Sequence, residues 1–296
     1  MPVASKQPIS STNESSMDLS DNADLRWLSE LIGDIRSVAP NHDPLMVGAM
    51  ARDLLLQYGG GVQIHRATTD IDLAFAIANW DEFAAFRDAL LSSESFGETR
   101  HEHKLLHQGT LSIDLIPFGG VEDAEGRILW PASETVMSVL GYQDARATAL
   151  EIILPEGQRI STVSLPMLAV MKVVAWTDRH LLQPRKDASD LMLILRNYLH
   201  GKNTDRLYVD ATHLLDMDDF DFEVAAAWLA GSDAAASIAR SSSNPARLLE
   251  VVREVLQAET DANGQLHLVG ECGIEPAAAL RLLRSFRDGV LAEAAI

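Results

Sequence analysis

The sequence predicts an α+β fold, with a mixed sheet and flanking helices in the first half and a mainly helical C-terminal domain behind it. Three observations carry this. Ile71-Asp72-Leu73-Ala74-Phe75-Ala76-Ile77 is apolar almost throughout and free of Gly and Pro, the pattern of a buried strand. Two further strand pairs are punctuated by turns at Gly109 and at Pro155-Glu156-Gly157. Beyond Leu165 the apolar residues recur at helical spacing. A chain of 296 residues has room for two domains, drawn here at 22–164 and 165–296 behind a tail at 1–21.

The elements follow in order. Residues 1–21 are rich in Ser, Asn and Asp and lack an apolar segment, so they read as a disordered tail rather than a secretory signal. Leu25, Leu28, Leu31, Ile32 and Ile35 mark a helix to Val38, with Asn22 or Asp21 as its N-cap. Leu45-Met46-Val47 is a short strand, Gly48 a turn, and Ala49–Gln57 a helix ended by Gly59-Gly60-Gly61. After the buried strand, Trp80–Leu91 is an amphipathic helix, and a hairpin pairs 101–108 with 110–117. Residues 147–154 and 158–162 form the last strand pair. Helices are expected at 165–180 and 187–199, then near 205–215, 222–230, 245–257 and 276–293.

Composition narrows the function classes. The net charge is −19, which opposes broad binding to a polyanion, although a local basic patch can still steer one into a cleft. From Asp205 onward there are 16 acidic and 7 basic residues, the surface of a solvated helix bundle or a docking face for a basic partner. No apolar run approaches the ~18 residues of a membrane span, and the single Cys272 leaves no internal disulfide or multi-cysteine zinc site. A cytoplasmic location follows as the expectation.

Four features carry chemistry. Asp70 and Asp72, two apart on a strand, project to one face. Like charges so placed raise each other's pKa unless a cation intervenes, and converging hard oxygens suit Mg²⁺ or Mn²⁺. Asp114 is an acid inside the apolar strand Leu111–Ile116; on a neighbouring strand it would complete a three-carboxylate cradle, while facing outward it would be a plain surface residue. Gly48 before a helix start would let backbone N–H groups approach an anion, or simply punctuate a turn. Lys172 and Arg179 share a helix face two turns apart, and Arg185-Lys186-Asp187 with Asp190 follows on the next helix. Such groups suit phosphate binding in one cleft; singly, they suit caps and salt bridges. His101 and His103 read as a polar hairpin face or, less simply, a zinc site. Cys272, Trp130, Trp176 and Trp228 read as core.

Taken together, Gly48, Arg52-Asp53, Asp70-x-Asp72 and Asp114 resemble the polymerase-β-type nucleotidyltransferase fold. Arg66-x-Thr68-Thr69-Asp70-Ile71-Asp72-Leu73, Lys172 to Arg179 and Lys186-Asp187-x-x-Asp190-Leu191 are similar to the AbiEii-type abortive-infection toxins. The resemblance implies Mg²⁺-dependent transfer of a nucleoside monophosphate from an NTP to an acceptor hydroxyl, with a tRNA 3′ end as acceptor and a cognate antitoxin as partner. It implies Asp70, Asp72 and Asp114 as metal ligands, with Asp114 also assisting deprotonation of the acceptor. It places Lys172 on the triphosphate and Arg179 and Asp187 in support of the cleft. Gly48, Ala49, Arg52 and Thr69 fall in the nucleotide-binding segments. The usual Gly-Ser or Gly-Gly pair is Gly48-Ala49 here, which removes a hydroxyl donor and keeps the backbone N–H. The opening motif also resembles that of CCA-adding enzymes and poly(A) polymerases, whose basic RNA-binding region has no counterpart in this acidic second half. Two other readings use the same residues: modification of a small cationic molecule or a protein, and a catalytically silent nucleotide-binding module. Three aspartates kept together speak against the silent module.

Overall fold

The computed structural model describes residues 16–64, 70–200, 203–209, 211–216, 220–241, 245–261 and 267–293. Its strands in chain order are β1 (Ser16–Asp18), β2 (Leu45–Met46), β3 (Asp70–Ile77), β4 (Phe96–Glu98), β5 (Lys104–His107), β6 (Leu111–Gly119), β7 (Arg127–Leu129), β8 (Val136–Ser138), β9 (Leu150–Ile153) and β10 (Arg159–Thr162). The helices of the first half are α1 (Arg26–Val38), α2 (Gly48–Asp53), α3 (Trp80–Leu91) and α4 (Tyr142–Ala147). Those of the second are α5 (Leu165–Arg179), α6 (Pro184–Asn197), α7 (Arg206–Val209), α8 (Phe222–Ser241), α9 (Pro245–Asp261), α10 (His267–Glu271) and α11 (Pro276–Glu293). The α+β expectation holds.

Eight strands form one mixed sheet in the order β1-β9-β10-β2-β3-β6-β5-β4, and β7 and β8 pair separately. β3 and β6 run parallel in its interior, with Asp72 beside Asp114. Leu73, Ala74, Phe75, Ile113 and Leu115 are buried, as expected of parallel strands covered on both faces. The antiparallel β5 turns back onto β6 about Gly109 and sets Lys104 opposite Asp114. Lys104, Asp114 and Asp72 therefore stand in one row across three strands.

Helix α5 is apolar on nearly every side, which suits a buried central helix. It packs against α6, α8 and α9 and also against α2, α4 and β8. One continuous apolar core thus joins the sheet to the C-terminal helices across residue 165. Further on, α8 passes straight through Gly231. A Cβ at Gly231 would lie 2.1 Å from the Phe286 carbonyl oxygen, and one at Gly289 would lie 2.1 Å from that of Trp228. The two glycines let α8 and α11 touch backbone to backbone, so a residue read as the end of a helix is a contact point within it.

Three expectations are corrected. Ser16–Asp18, placed in the disordered tail, form an edge strand parallel to β9, anchored by buried Leu19. The strand expected from 147 begins at Leu150, and residues 142–147, given no element, are helix α4, because Gly141 at φ 91° turns the chain into a helix start. His101–His103 precede β5 rather than belonging to it. Asn22 does cap as read, its side chain accepting from the Asp24 N–H at 3.1 Å. Among the described residues no helix is long and apolar enough to cross a membrane.

Candidate active site

The row on the sheet opens into a cleft of about 1120 Å³. Asp72 and Asp114 line it from below, Gly48 from the β2–α2 turn, and Lys172, Arg179 and Lys186 from α5 and α6. Gly48 has φ +66°, a conformation natural to glycine, and a Cβ there would lie 2.0 Å from Asp72 Oδ2. The turn can therefore close over the carboxylate only without a side chain. The Val47 N–H completes the contact, donating to the Asp72 carbonyl at 3.1 Å.

The three aspartates differ in charge balance. Burial, and then the neighbouring Asp114 charge, push the Asp72 carboxyl up to about 6. Asp114 Oδ1 is buried and accepts no hydrogen bond. Lys104 Nζ lies 3.1 Å from that oxygen and donates to Asp70 Oδ1 at 3.2 Å. Burial opposes ionisation of Asp70, but the Ser112 hydroxyl and Lys104 outweigh it and hold the carboxyl below its ordinary value. Lys104 is raised in turn: burial works against its charge, and Asp114 and Asp70 win.

A different arrangement lies behind the cleft. Arg52 donates through Nε and Nη2 to Asp53 at 2.8 and 2.6 Å, and through Nη1 to Asp190 in a short contact. Lys172 Nζ donates to Asp190 Oδ2 at 2.6 Å and to Asp187 Oδ1 at 3.2 Å. Arg179 closes the chain with a two-pronged contact to Asp187, at 2.6 and 2.7 Å. The result is an alternating series, Asp53–Arg52–Asp190–Lys172–Asp187–Arg179, tying α2 to α5 and α6. Burial disfavours the Asp187 charge, yet Arg179 and Lys172 hold its carboxyl below the usual range.

The predicted residues thus divide. Asp72, Asp114, Gly48, Lys172 and Arg179 meet in the cleft, and Asp70 joins them through Lys104. Arg52 does not face the cleft; at 1% exposure, with both prongs committed to carboxylates, it serves as a structural cation. Asp187 is likewise buried beneath Lys172 and Arg179. Ala49 sits in the first turn of α2 behind Gly48. Thr69 lies outside the described residues. Two residues of the site escaped the sequence reading, Lys104 beside the aspartates and Tyr142 in the cleft wall, while Lys186 belongs to the charged stretch that it placed in the cleft. Lys104 was signalled by the Gly109-centred hairpin. Lys186 carries no hydrogen bond or ion pair on its ammonium among the described residues, and its charge favours ionised Asp70 and Asp72. Tyr142, on the unforeseen α4, lines the cleft with a hydroxyl pushed up by burial and by Asp72.

The donor set fits a hard divalent cation: an oxygen without a hydrogen bond on Asp114, an Asp72 charge held back by burial and by Asp114, and a turn stripped of any side chain. Among the described residues, no three acidic, histidine or cysteine side chains already converge as a metal cage. Lys104 stands between two of the aspartates. His101 and His103 lie with ring centres 5.5 Å apart and their planes tilted, His103 in turn tilted against Trp130. Cys272, Trp130 and Trp176 are buried as expected.

Mixed sheet, aspartate pair and glycine turn together define a domain of the nucleotidyltransferase class. The family described as "Nucleotidyl transferase AbiEii toxin, Type IV TA system" matches residues 36–227, well over half of the chain. The chain belongs to that family. A search of curated proteins finds no match.

Proposed function

We propose that the protein transfers a nucleoside monophosphate from an NTP to an acceptor hydroxyl, with Mg²⁺ or Mn²⁺ held by Asp70, Asp72 and Asp114. The observation that carries this reading is the cross-strand pair Asp72–Asp114 under Gly48: an Asp72 charge held back by burial and by Asp114, beside an Asp114 oxygen that accepts no hydrogen bond, in the lining of an open cleft. These aspartates would hold the ion where it would neutralise the triphosphate and acidify the acceptor hydroxyl. In the step itself, the acceptor oxygen bonds to the α-phosphorus as the bond from that phosphorus to the β-bridging oxygen breaks. Pyrophosphate leaves and the hydroxyl proton passes to Asp114. Lys186, whose ammonium has no ion pair among the described residues, and Arg179 meet the phosphates. Lys172 lines the same wall, but its charge is engaged by Asp187 and Asp190, so it acts on the nucleotide from a fixed position.

The proposed acceptor is a tRNA 3′ end, the proposed setting cytoplasmic, and the proposed regulator a cognate antitoxin, in line with the family. A second reading draws on the acids Asp81, Asp88, Glu98 and Glu102 along the α3 side of the cleft, which favour a small cationic acceptor. One experiment separates them. The protein is incubated with labelled NTPs, Mg²⁺ and either total RNA or a polycationic small molecule, beside the Asp72→Asn variant. Label on RNA that falls by roughly 10³-fold in the variant is the expected result. Label on the small molecule alone would move the acceptor to the second reading, and equal labelling by both proteins would remove Asp72 from the chemistry.

A further inference from the structure

Lys104 is the residue of this site whose position is explained least by nucleotide transfer and most by the aspartates themselves. The β5–β6 register sets it directly opposite Asp114, and its ammonium spans Asp114 at 3.1 Å and Asp70 at 3.2 Å. We propose that Lys104 is a positioning residue that serves as resident counter-cation: it holds Asp70 and Asp114 together and withdraws when a divalent cation takes its place. The proposal rests on the reading of these aspartates as cation ligands.

Two features favour exchange over a permanent ion pair. First, the side chain is 23% exposed, whereas the Lys172 side chain in the closed series is 6% exposed. A compact charge on a four-carbon stem with an open side can swing out toward water, while a forked guanidinium locked by two carboxylates cannot. Second, one of its two contacts, that to Asp114, is loose. The ammonium reaches Asp114 Oδ1 without hydrogen-bond geometry, and that oxygen keeps its accepting capacity for another cation. A divalent ion on Asp70 and Asp114 and an ammonium about 3 Å from both would repel strongly at such range. The two therefore compete for the same oxygens.

The test measures Mn²⁺ affinity of the full chain by calorimetry, without nucleotide. Lys104→Met keeps the stem and removes the charge; it should bind Mn²⁺ at least about tenfold more tightly. Lys104→Arg keeps the charge and should stay within about threefold of the wild type. Arg159→Gln, at an exposed position on β10, controls for loss of one positive charge and should leave affinity unchanged. Melting supplies a second readout: the cation-free Lys104→Met protein melts below the wild type, and saturating Mn²⁺ raises its Tm by more. If Lys104→Met does not fold, Lys104→Gln must show the same tightening. Unchanged or weaker Mn²⁺ binding in the charge-free variants, with binding lost in Asp72→Asn, overturns the role of Lys104 alone. No Mn²⁺ binding by any of the proteins, the wild type included, overturns the cation reading of the aspartates as well.

Discussion

Two charge clusters lie within this molecule, built from the same residue types and brought to opposite states. In the series Asp53–Arg52–Asp190–Lys172–Asp187–Arg179, each carboxylate meets a cation and each cation a carboxylate, and the inner members are almost fully buried. On the sheet, Asp70 and Asp114 share one partly exposed lysine, and Asp72, with no ion pair among the described residues, has its carboxyl pushed up to about 6. The first cluster is electrostatically closed and joins α2 to α5 and α6, which is a structural task. The second is left open beside a cleft, which suits a ligand that brings its own positive charge. Charge balance, more than residue type, separates scaffold from site.

The largest effect is expected where the closed series is cut. Arg52→Met removes the buried guanidinium that joins Asp53 to Asp190 in the series, so it should cost about 3–5 kcal/mol of stability. Denaturant unfolding checks this. A loss under 1 kcal/mol would mean that the series is no support, and would erase the contrast between the clusters.

The open cluster should show the reverse, through pH. Because the folded Asp72 carboxyl is raised from 3.8 to about 6, the folded state holds its proton where the unfolded chain has released it. This penalty is absent below about pH 4, grows as the pH rises toward 6, and is complete above it. At about 1.4 kcal/mol per unit, it amounts to roughly 2–3 kcal/mol in the cation-free protein. Asp72→Asn removes the titrating group, so its stability relative to wild type should climb between pH 4 and 6. Parallel stability curves for the two proteins would show that Asp72 carries no such strain.

Much of this arrangement was legible in the sequence, and the illegible parts share a cause. Strand β3 announces itself by its unbroken apolar run, and Asp70 and Asp72 by their spacing on it, since both are local patterns. The hairpin centred on Gly109 also encodes Lys104 opposite Asp114, because a tight turn sets antiparallel register. The pairing of Asp72 with Asp114 is not encoded locally; parallel register depends on how α3 and the β4–β5 hairpin pack between the two strands. Arg52 escaped for the same reason. Beside Gly48 it reads as a nucleotide contact, and its partner Asp190 lies 138 residues away. Helix α4 turned on Gly141 adopting a positive φ, which a bare Gly does not reveal.

The finest discrimination between the clusters falls on Gly48, which belongs to the turn over Asp72 and to the helix that carries Arg52. Gly48→Ala places a Cβ at a φ of +66°, at a conformational cost of about 1–2 kcal/mol. The same Cβ would stand 2.0 Å from Asp72 Oδ2, so the carboxylate must move, while Arg52 and its partners lie on the far side of the turn. Stability should therefore fall modestly, with Mn²⁺ binding reduced by tenfold or more, a larger change in function than in folding. Calorimetry and melting on the same preparation measure both. If binding survives while stability drops by several kcal/mol, Gly48 serves the fold rather than the carboxylate. The division between closed scaffold and open site would then have to be drawn on the sheet alone.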